Sequence, residues 1–144
     1  MSGPRWLVGF LVLSSFLAAA DGAAGVIEER RALMRDLGNA LQAIWDGLAR
    51  GEADMVEQGA RHIAARANRI VPLFPPGSFH SPSRAQPVTP EEVPSFTAFA
   101  QDLREAAEAL AASAGRERFD EVRPRLSRLV QTCRKCHRSY IRPY

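Results

Sequence analysis

Residues 119–140 read FDEVRPRLSRLVQTCRKCHRSY. Apolar residues recur in this stretch at steps of three and four, which places them on one face of an α-helix. They are Phe119, Val122, Leu126, Leu129, Cys133, Cys136 and Tyr140. The stretch also holds the only two cysteines of the chain, with His137 directly after the second. It therefore predicts an amphipathic helix that carries a CxxCH motif near its end.

Pro124 conflicts locally with this helix, because proline removes a backbone donor and disfavours a helix interior. The helix then either begins late, near Arg123, or it includes Pro124 with a kink or a short first turn. We favour the second alternative, because Phe119 and Val122 keep the phase of the apolar face.

Three earlier segments show the same helical spacing. The first follows Ile27, Met34, Leu37, Leu41, Ile44 and Leu48, with Arg30 in one inward slot, and ends at Gly51, a typical glycine cap. The second runs from Val56 to Phe74 and stops near Pro72 to Pro75. The third runs from Phe96 to Ala114, and Gly115 ends it.

No run of alternating β-branched residues interrupts these helical segments. Four amphipathic helices predict an all-α fold, an antiparallel up-down-up-down four-helix bundle. Residues 72–93 form a long loop between helices two and three, rich in proline and serine. A loop of that length has a function or packs over the end of the bundle.

The N-terminus has the layout of a secretory signal peptide, with Arg5, an apolar run and then Ala18 to Ala20. We predict cleavage after Ala20, or alternatively after Ala24, and one mature domain over 21–144. An uncleaved membrane anchor is the alternative, but the apolar run is shorter than the roughly 20 residues that span a bilayer. We therefore expect a periplasmic protein without a membrane anchor after processing.

The net charge of the chain is small. The net charge of the chain is +3, and removal of residues 1–20 leaves 18 basic against 16 acidic residues, a net charge of +2. Because most of these charges alternate in sign, no nucleic-acid partner is indicated. Arg134, Lys135, Arg138 and Arg142 cluster around the cysteines. They serve either solubility or the docking of an acidic redox partner.

The CxxCH motif has three interpretations. A redox dithiol of this spacing belongs in a βαβ context, which this chain lacks. A zinc site needs about four ligands, and only His62 and His80 remain to complete one. The third is covalent attachment of haem, the interpretation that we favour. Residues i and i+3 of a helix point the same way, so both thiols can reach the vinyl groups at one porphyrin edge. His137 then becomes the proximal iron ligand.

A haem requires a pocket, and the predicted bundle core supplies walls from Leu37, Leu41, Phe99, Leu103 and Leu129. Met34 lies on the inward face of helix one and is a candidate for the second axial ligand. An ordinary core methionine is the alternative interpretation. Weaker ligand candidates are Met55, His62 and His80, of which we expect His62 to lie at the surface.

With these features the chain resembles the class II cytochromes c, the cytochrome c′ group. The resemblance covers essentially the whole mature chain. It is carried by Arg30 with Met34 four residues on, by residues 73–78, LFPPGS, by Phe99, and by residues 133–140, CRKCHRSY. Cytochromes of the other common c-type fold carry the motif near the N-terminus, so its C-terminal position is informative.

The resemblance implies one haem c per chain, held by Cys133 and Cys136, with His137 on the iron. Five-coordinate members of the family bind NO or CO and have an apolar residue on helix one facing the iron, whereas low-spin members have methionine there. Met34 falls at that position, so the chain looks most like the methionine-ligated subgroup. Arg30 matches the arginine that neighbours a haem propionate in the family.

Two positions depart from the family pattern. Ile141 follows the motif tyrosine where relatives often have arginine, with Arg142 next, so chemistry proposed for the proximal face of gas-binding members does not carry over. Val93 stands where relatives often have tryptophan before helix three. The second departure concerns the packing at the haem edge and not the haem itself.

These observations predict a periplasmic electron-transfer cytochrome with His137 and Met34 as axial ligands and no enzymatic activity. The alternative is a five-coordinate NO- or CO-binding protein. A helical interaction domain with a CxxC disulfide is the third hypothesis. Dimerisation through helices one and two is common in the family, and Trp45, beside the inward face of helix one, is a candidate contact.

Overall fold

The computed structural model describes the backbone of residues 9–116 and 118–143, and the side chains of residues 22–116, 118 and 120–143. It contains four helices: α1 (Gly9–Arg50), α2 (Ala53–Ala67), α3 (Val93–Ala114) and α4 (Phe119–Tyr140). No strand occurs in this part of the chain, apart from one isolated bridge between Ala85 and Ile141. The predicted all-α four-helix bundle with a long loop between helices two and three is confirmed.

The backbone of α1 already begins at Gly9, within the predicted signal peptide. Residues 1–8 of that peptide lie outside the described residues, and cleavage after Ala20 stays a prediction. None of the helices in the described ranges is both long and apolar enough to cross a membrane. The C-terminal end of α1 is as predicted, because Gly51 takes a φ of +72° and turns the chain into α2.

The predicted second helix is too long. The α2 helix ends at Ala67, and a separate 3-10 turn covers Val71–Leu73. Pro72 explains the break, because it cannot donate the hydrogen bond that would continue the helix and it disfavours helical backbone at the preceding residue. The apolar positions of the turn still point inward, so Ile70 and Leu73 remain buried.

Pro124 lies inside α4, so the alternative in which the helix begins near Arg123 is excluded. The helix begins at Phe119, whose side chain is outside the described residues. Val122 is fully buried ahead of the proline, together with Leu126 and Leu129 after it. Burial of this apolar face holds the first turn in the helix in spite of the missing backbone donor.

The helices pack in chain order, α1 on α2, α2 on α3 and α3 on α4. Between α1 and α4, by contrast, no pair of described residues has Cα atoms within 8 Å. The close approach of α1 to α2 depends on Gly59, where a Cβ atom would lie 2.7 Å from Cγ1 of Ile44. The bundle is therefore tight on three sides and open between its first and last helices.

Candidate functional site

The open side of the bundle holds an apolar cavity of about 420 Å³. This volume lies within the range of about 300–1,000 Å³ that is typical of ligand pockets. The five predicted wall residues all line it: Leu37, Leu41, Phe99, Leu103 and Leu129. Residues of both α1 and α4 line it, which explains why no described Cα atoms of these two helices lie within 8 Å of each other.

The CxxCH motif faces this cavity from α4. Cys133 and Cys136 both line it as free thiols, and His137 lies beside them at the cavity edge. Helical spacing puts the two thiols on the same face one turn apart. The end of α4 is held in place by Tyr140, which is buried and makes edge-to-face contacts with Phe96 and Phe99 at ring distances of 4.9 and 6.2 Å.

The electrostatics of the thiols argue against a redox dithiol. Burial raises the pKa of the Cys133 thiol. Burial and the neighbouring Cys133 raise the pKa of Cys136 to about 11. Reactive cysteines have lowered pKa values instead. The cavity therefore keeps both thiols protonated at neutral pH.

A zinc site is also unsupported. Within the described ranges, no group of three or more histidine, cysteine, aspartate or glutamate residues is placed to hold a metal ion. His62 lies on the α1–α2 face, where its Nε2 is 2.9 Å from Oδ2 of Asp36 and lowers the pKa of that carboxyl. His80 is exposed in the loop. Neither histidine lines the cavity.

The arrangement fits haem c. Two thiols on one helix face can each form a thioether with a vinyl group of one porphyrin edge. Desolvation lowers the pKa of His137, which favours the neutral imidazole that metal ligation requires, although more than a third of the residue is exposed at the open cavity. The apolar wall residues suit the apolar body of a porphyrin. His62 was expected at the surface but is half-buried against Asp36 of α1, and Met55 is not among the cavity residues.

Met34 lines the cavity from α1, on the wall across from the motif, and is half-buried. The sequence thus placed it correctly on the pocket wall. Gly38, one turn further on, lines the same wall, although the sequence pattern did not predict it as a wall residue. Its lack of a side chain widens the cavity, a feature that helical periodicity of apolar residues cannot signal.

Arg30 is buried, with 4% of its surface exposed, and it holds the long loop. Its Nε donates to the carbonyl of Leu73 at 2.8 Å, and its Nη1 donates to the carbonyl of Ser78 and to Oγ of Ser83, both at 3.0 Å. Its Nη2 donates to Oγ of Ser78 at 2.6 Å. The guanidinium also lies 4.2 Å from the ring centroid of Phe74. These partners are all neutral. The contact of Arg30 with a haem propionate, which the family resemblance implies, stays a prediction.

The two positions that depart from the family pattern differ in their surroundings. Ile141 lines the cavity and pairs with Ala85 of the loop. Arg142 is held by the same loop, because its side chain donates to the carbonyls of Phe79 and Ser83. Val93, the first residue of α3, is 45% exposed. The loop was predicted to serve a function or to cover the bundle end; it contacts both α1 and the end of α4.

Comparison with known proteins identifies this architecture. Residues 25–141 match the family model described as cytochrome C′. The chain belongs to the cytochrome c′ family. This family binds haem c, and its solved members are four-helix bundles. No curated protein sequence matches the chain.

Several solved cytochromes c′ are similar in structure. The protein from Thermochromatium tepidum is 29% identical with a TM-score of 0.70, covering 81% of this chain and 94% of the other. A cytochrome c′ with ligand-controlled dimer dissociation is 25% identical with a TM-score of 0.75, covering 84% and 97%. A nitric oxide complex of an Alcaligenes xylosoxidans variant has a TM-score of 0.73 at 15% identity, covering 85% and 97%, which supports the shared fold alone.

These matches correct the predicted function. The electron-transfer cytochrome with His137 and Met34 as axial ligands is wrong, because the family model and the solved neighbours are those of cytochrome c′, whose members bind NO or CO at five-coordinate haem. Nothing in the comparisons places the chain in the methionine-ligated subgroup. The misleading signal was Met34 itself: a methionine on a pocket wall looks the same in sequence whether or not it binds iron.

Proposed function

We propose that this cytochrome c′ binds a small gas, NO or CO, at a five-coordinate haem whose single axial protein ligand is His137. The observation that carries the proposal is the family match over residues 25–141. The haem, when bound, supplies an iron with one open position for the gas. All other contributions come from the side chains that line the cavity.

The wall across from the motif is apolar. Between residues 34 and 41, α1 contributes Met34, Leu37, Gly38 and Leu41 to the cavity, and none of these has a side-chain N–H or O–H donor. The polarity and the steric access of such a wall decide which ligand a haem protein accepts. A wall without donors favours small neutral gases over anionic ligands, which need hydrogen bonds when they are buried.

Met34 has the role of a movable obstacle in this proposal. Methionine is unbranched and flexible, so its side chain can fill the space near the open position and move aside. It is not bound to iron. Access of the gas is then limited by displacement of the thioether side chain and not by rupture of an iron–sulfur bond.

The absorption spectra of the purified holoprotein test this proposal. We expect high-spin spectra in both oxidation states and CO binding to the reduced protein without loss of another ligand. Met34→Ala should accelerate CO association severalfold, because it removes the obstacle, and should leave the spin state unchanged. Met34→Leu, which conserves most of the volume, serves as the control and should not show the acceleration of Met34→Ala.

A different spectrum would contradict the proposal. A low-spin oxidised spectrum with the charge-transfer band of an iron–methionine bond, lost in Met34→Ala, would exclude five-coordination.

We further propose that the protein carries one haem per chain, acts in the periplasm and catalyses no reaction on a substrate. The single CxxCH motif supports the stoichiometry, and the N-terminal signal pattern supports export. The mass of the intact protein from a periplasmic fraction tests both points: two haems, or a chain that retains residues 1–20, would contradict them.

CO binding requires reduced iron, so an electron donor is needed. Arg134, Lys135 and Arg138 are exposed beside the motif and have no ion pair with a described acid, so we propose an acidic donor protein. The rate of reduction by such a donor should fall as salt is added. A rate independent of salt would contradict docking at this surface.

We also propose a homodimer formed through α1 and α2. A structural neighbour is a dimer with ligand-controlled dissociation, and Trp45 of α1 is 45% exposed. Trp45→Arg should shift the protein to a monomer in sedimentation velocity, because it places a charge in the contact. Val93→Arg is the matched control: Val93 is equally exposed but lies on α3. Equal sedimentation of both variants would contradict the assignment.

A further inference from the structure

The charges of this chain are divided unevenly along it. Residues 122–144 contain seven basic residues and no aspartate or glutamate, whereas residues 21–121 contain 11 basic and 16 acidic residues. The C-terminal stretch therefore carries a net charge of +7, and residues 21–121 carry a net charge of −5. Such an asymmetry within one chain indicates an interaction with an oppositely charged partner.

The exposed face of α4 displays most of this positive charge. Five cations lie on the side of the helix opposite its buried apolar residues: Arg123, Arg128, Arg134, Lys135 and Arg138. The exposed residues between them are neutral, namely Pro124, Ser127 and Gln131. With a rise of 1.5 Å per residue, this basic face of α4 extends over about 22 Å.

The arginines of α2 and α3 differ from those of the basic face, because each of them is paired with an acid. Arg61 pairs with Glu57, Arg66 with Asp36, and Arg104 with Glu108. None of the five cations of the basic face has an ion pair with a described acid. Arg134 and Arg138 are four residues apart, a spacing at which like charges destabilise a helix. A partner that supplies carboxylates would relieve this repulsion.

We propose that the whole basic face of α4 is one docking surface for an acidic protein, and that Arg123 and Arg128 belong to it. This inference extends, and rests on, the acidic donor proposed above for Arg134, Lys135 and Arg138. It does not depend on five-coordination or on gas binding. The donor then presents carboxylates over a comparable length of about 22 Å.

The charge asymmetry also orients the partner. Because residues 21–121 carry a net negative charge, an acidic partner is repelled by the other helices and attracted to α4, the helix that carries the CxxCH motif. Arg123 lies about 15 Å along the helix axis from Cys133. Neither Arg123 nor Arg128 lines the cavity, so these two residues act on the association of the partner and not on the haem.

Protein-film voltammetry of the holoprotein tests this proposal, with a carboxylate-terminated alkanethiol monolayer on gold as the acidic donor surface. The protein concentration at half-maximal electroactive coverage measures the affinity. In the double variant Arg123→Gln with Arg128→Gln, we expect this concentration to rise about tenfold at low salt, because two cations are lost from the contact. The difference should vanish at high salt. Arg123→Lys with Arg128→Lys should adsorb like the native protein, because it retains both charges.

Arg61→Gln with Arg104→Gln is the matched control. It removes two positive charges from α2 and α3 and leaves the basic face of α4 intact. The native affinity should be retained. An equal loss of affinity in the control and in the Arg123 and Arg128 double variant would show that net charge alone governs adsorption, and would overturn the proposal.

Arg134→Gln with Lys135→Gln separates this proposal from the acidic donor on which it rests. If this variant adsorbs weakly and the Arg123 and Arg128 variant adsorbs normally, docking is confined to the motif; the extended surface is then overturned and the acidic donor stands. If neither variant loses affinity, or if the native protein covers a hydroxyl-terminated monolayer equally well, both proposals are overturned.

Discussion

Cys133→Ala combined with Cys136→Ala should abolish covalent haem attachment completely. Both thiols face the cavity from one side of α4, and the described chain offers no other cysteine. Haem would then be held only by His137 and by contacts with the walls. On a denaturing gel stained for haem, the native band should be coloured and the band of the double variant colourless.

The single variants and a control sharpen this test. Each single variant should retain stainable haem through the remaining thioether. Lys135→Ala, an exposed residue between the two cysteines, should stain like the native protein. A stained band from the double variant would exclude attachment at this motif, and a colourless native band would return the third hypothesis, an interaction domain without haem.

The double variant should also be less stable than the native protein. Residues of α1 and of α4 both line the cavity of about 420 Å³, so a haem held there would contact both helices. A ligand that binds only the folded state stabilises it. Loss of the covalent link lowers the effective concentration of haem at the site, and with it this contribution.

Arg30→Ala should lower the free energy of unfolding by about 3 kcal/mol or more, since it removes four buried hydrogen bonds and leaves carbonyls of the loop without a donor. Denaturant unfolding of the holoprotein measures the change. Arg35→Ala is the matched control, and it should change the free energy by less than about 0.5 kcal/mol because Arg35 is exposed and only pairs with Glu28.

The same variant should loosen the loop at its far end. The amide of Gln86 donates to the carbonyl of Tyr140 at 2.8 Å, and this contact depends on the loop that Arg30 holds. Hydrogen exchange at Gln86 should therefore accelerate in Arg30→Ala and stay slow in Arg35→Ala. If both variants unfold and exchange alike, Arg30 does not hold the loop.

Much of this protein could be predicted from local sequence patterns. The spacing of apolar residues gave the four helices, and the five predicted wall residues all line the cavity. The prediction failed where a neighbouring residue overrode the pattern. Phe74 continues the helical spacing of apolar residues, but Pro72 interrupts the helical backbone hydrogen bonds. The α2 helix therefore stops at Ala67. Met34 shows a different limit, because the sequence located it on the wall but could not decide whether it binds iron.

The sequence by itself determined where the CxxCH motif lies on its helix. The positions of Cys133, Cys136 and His137 on one turn of a helix follow from separations of one and three residues, over which helix geometry is the same in any protein. Only the tertiary structure decided the contacts of Arg30, which joins Leu73, Ser78 and Ser83 across separations of 43, 48 and 53 residues. Such contacts depend on how the helices and the loop pack together, and no local periodicity encodes that packing.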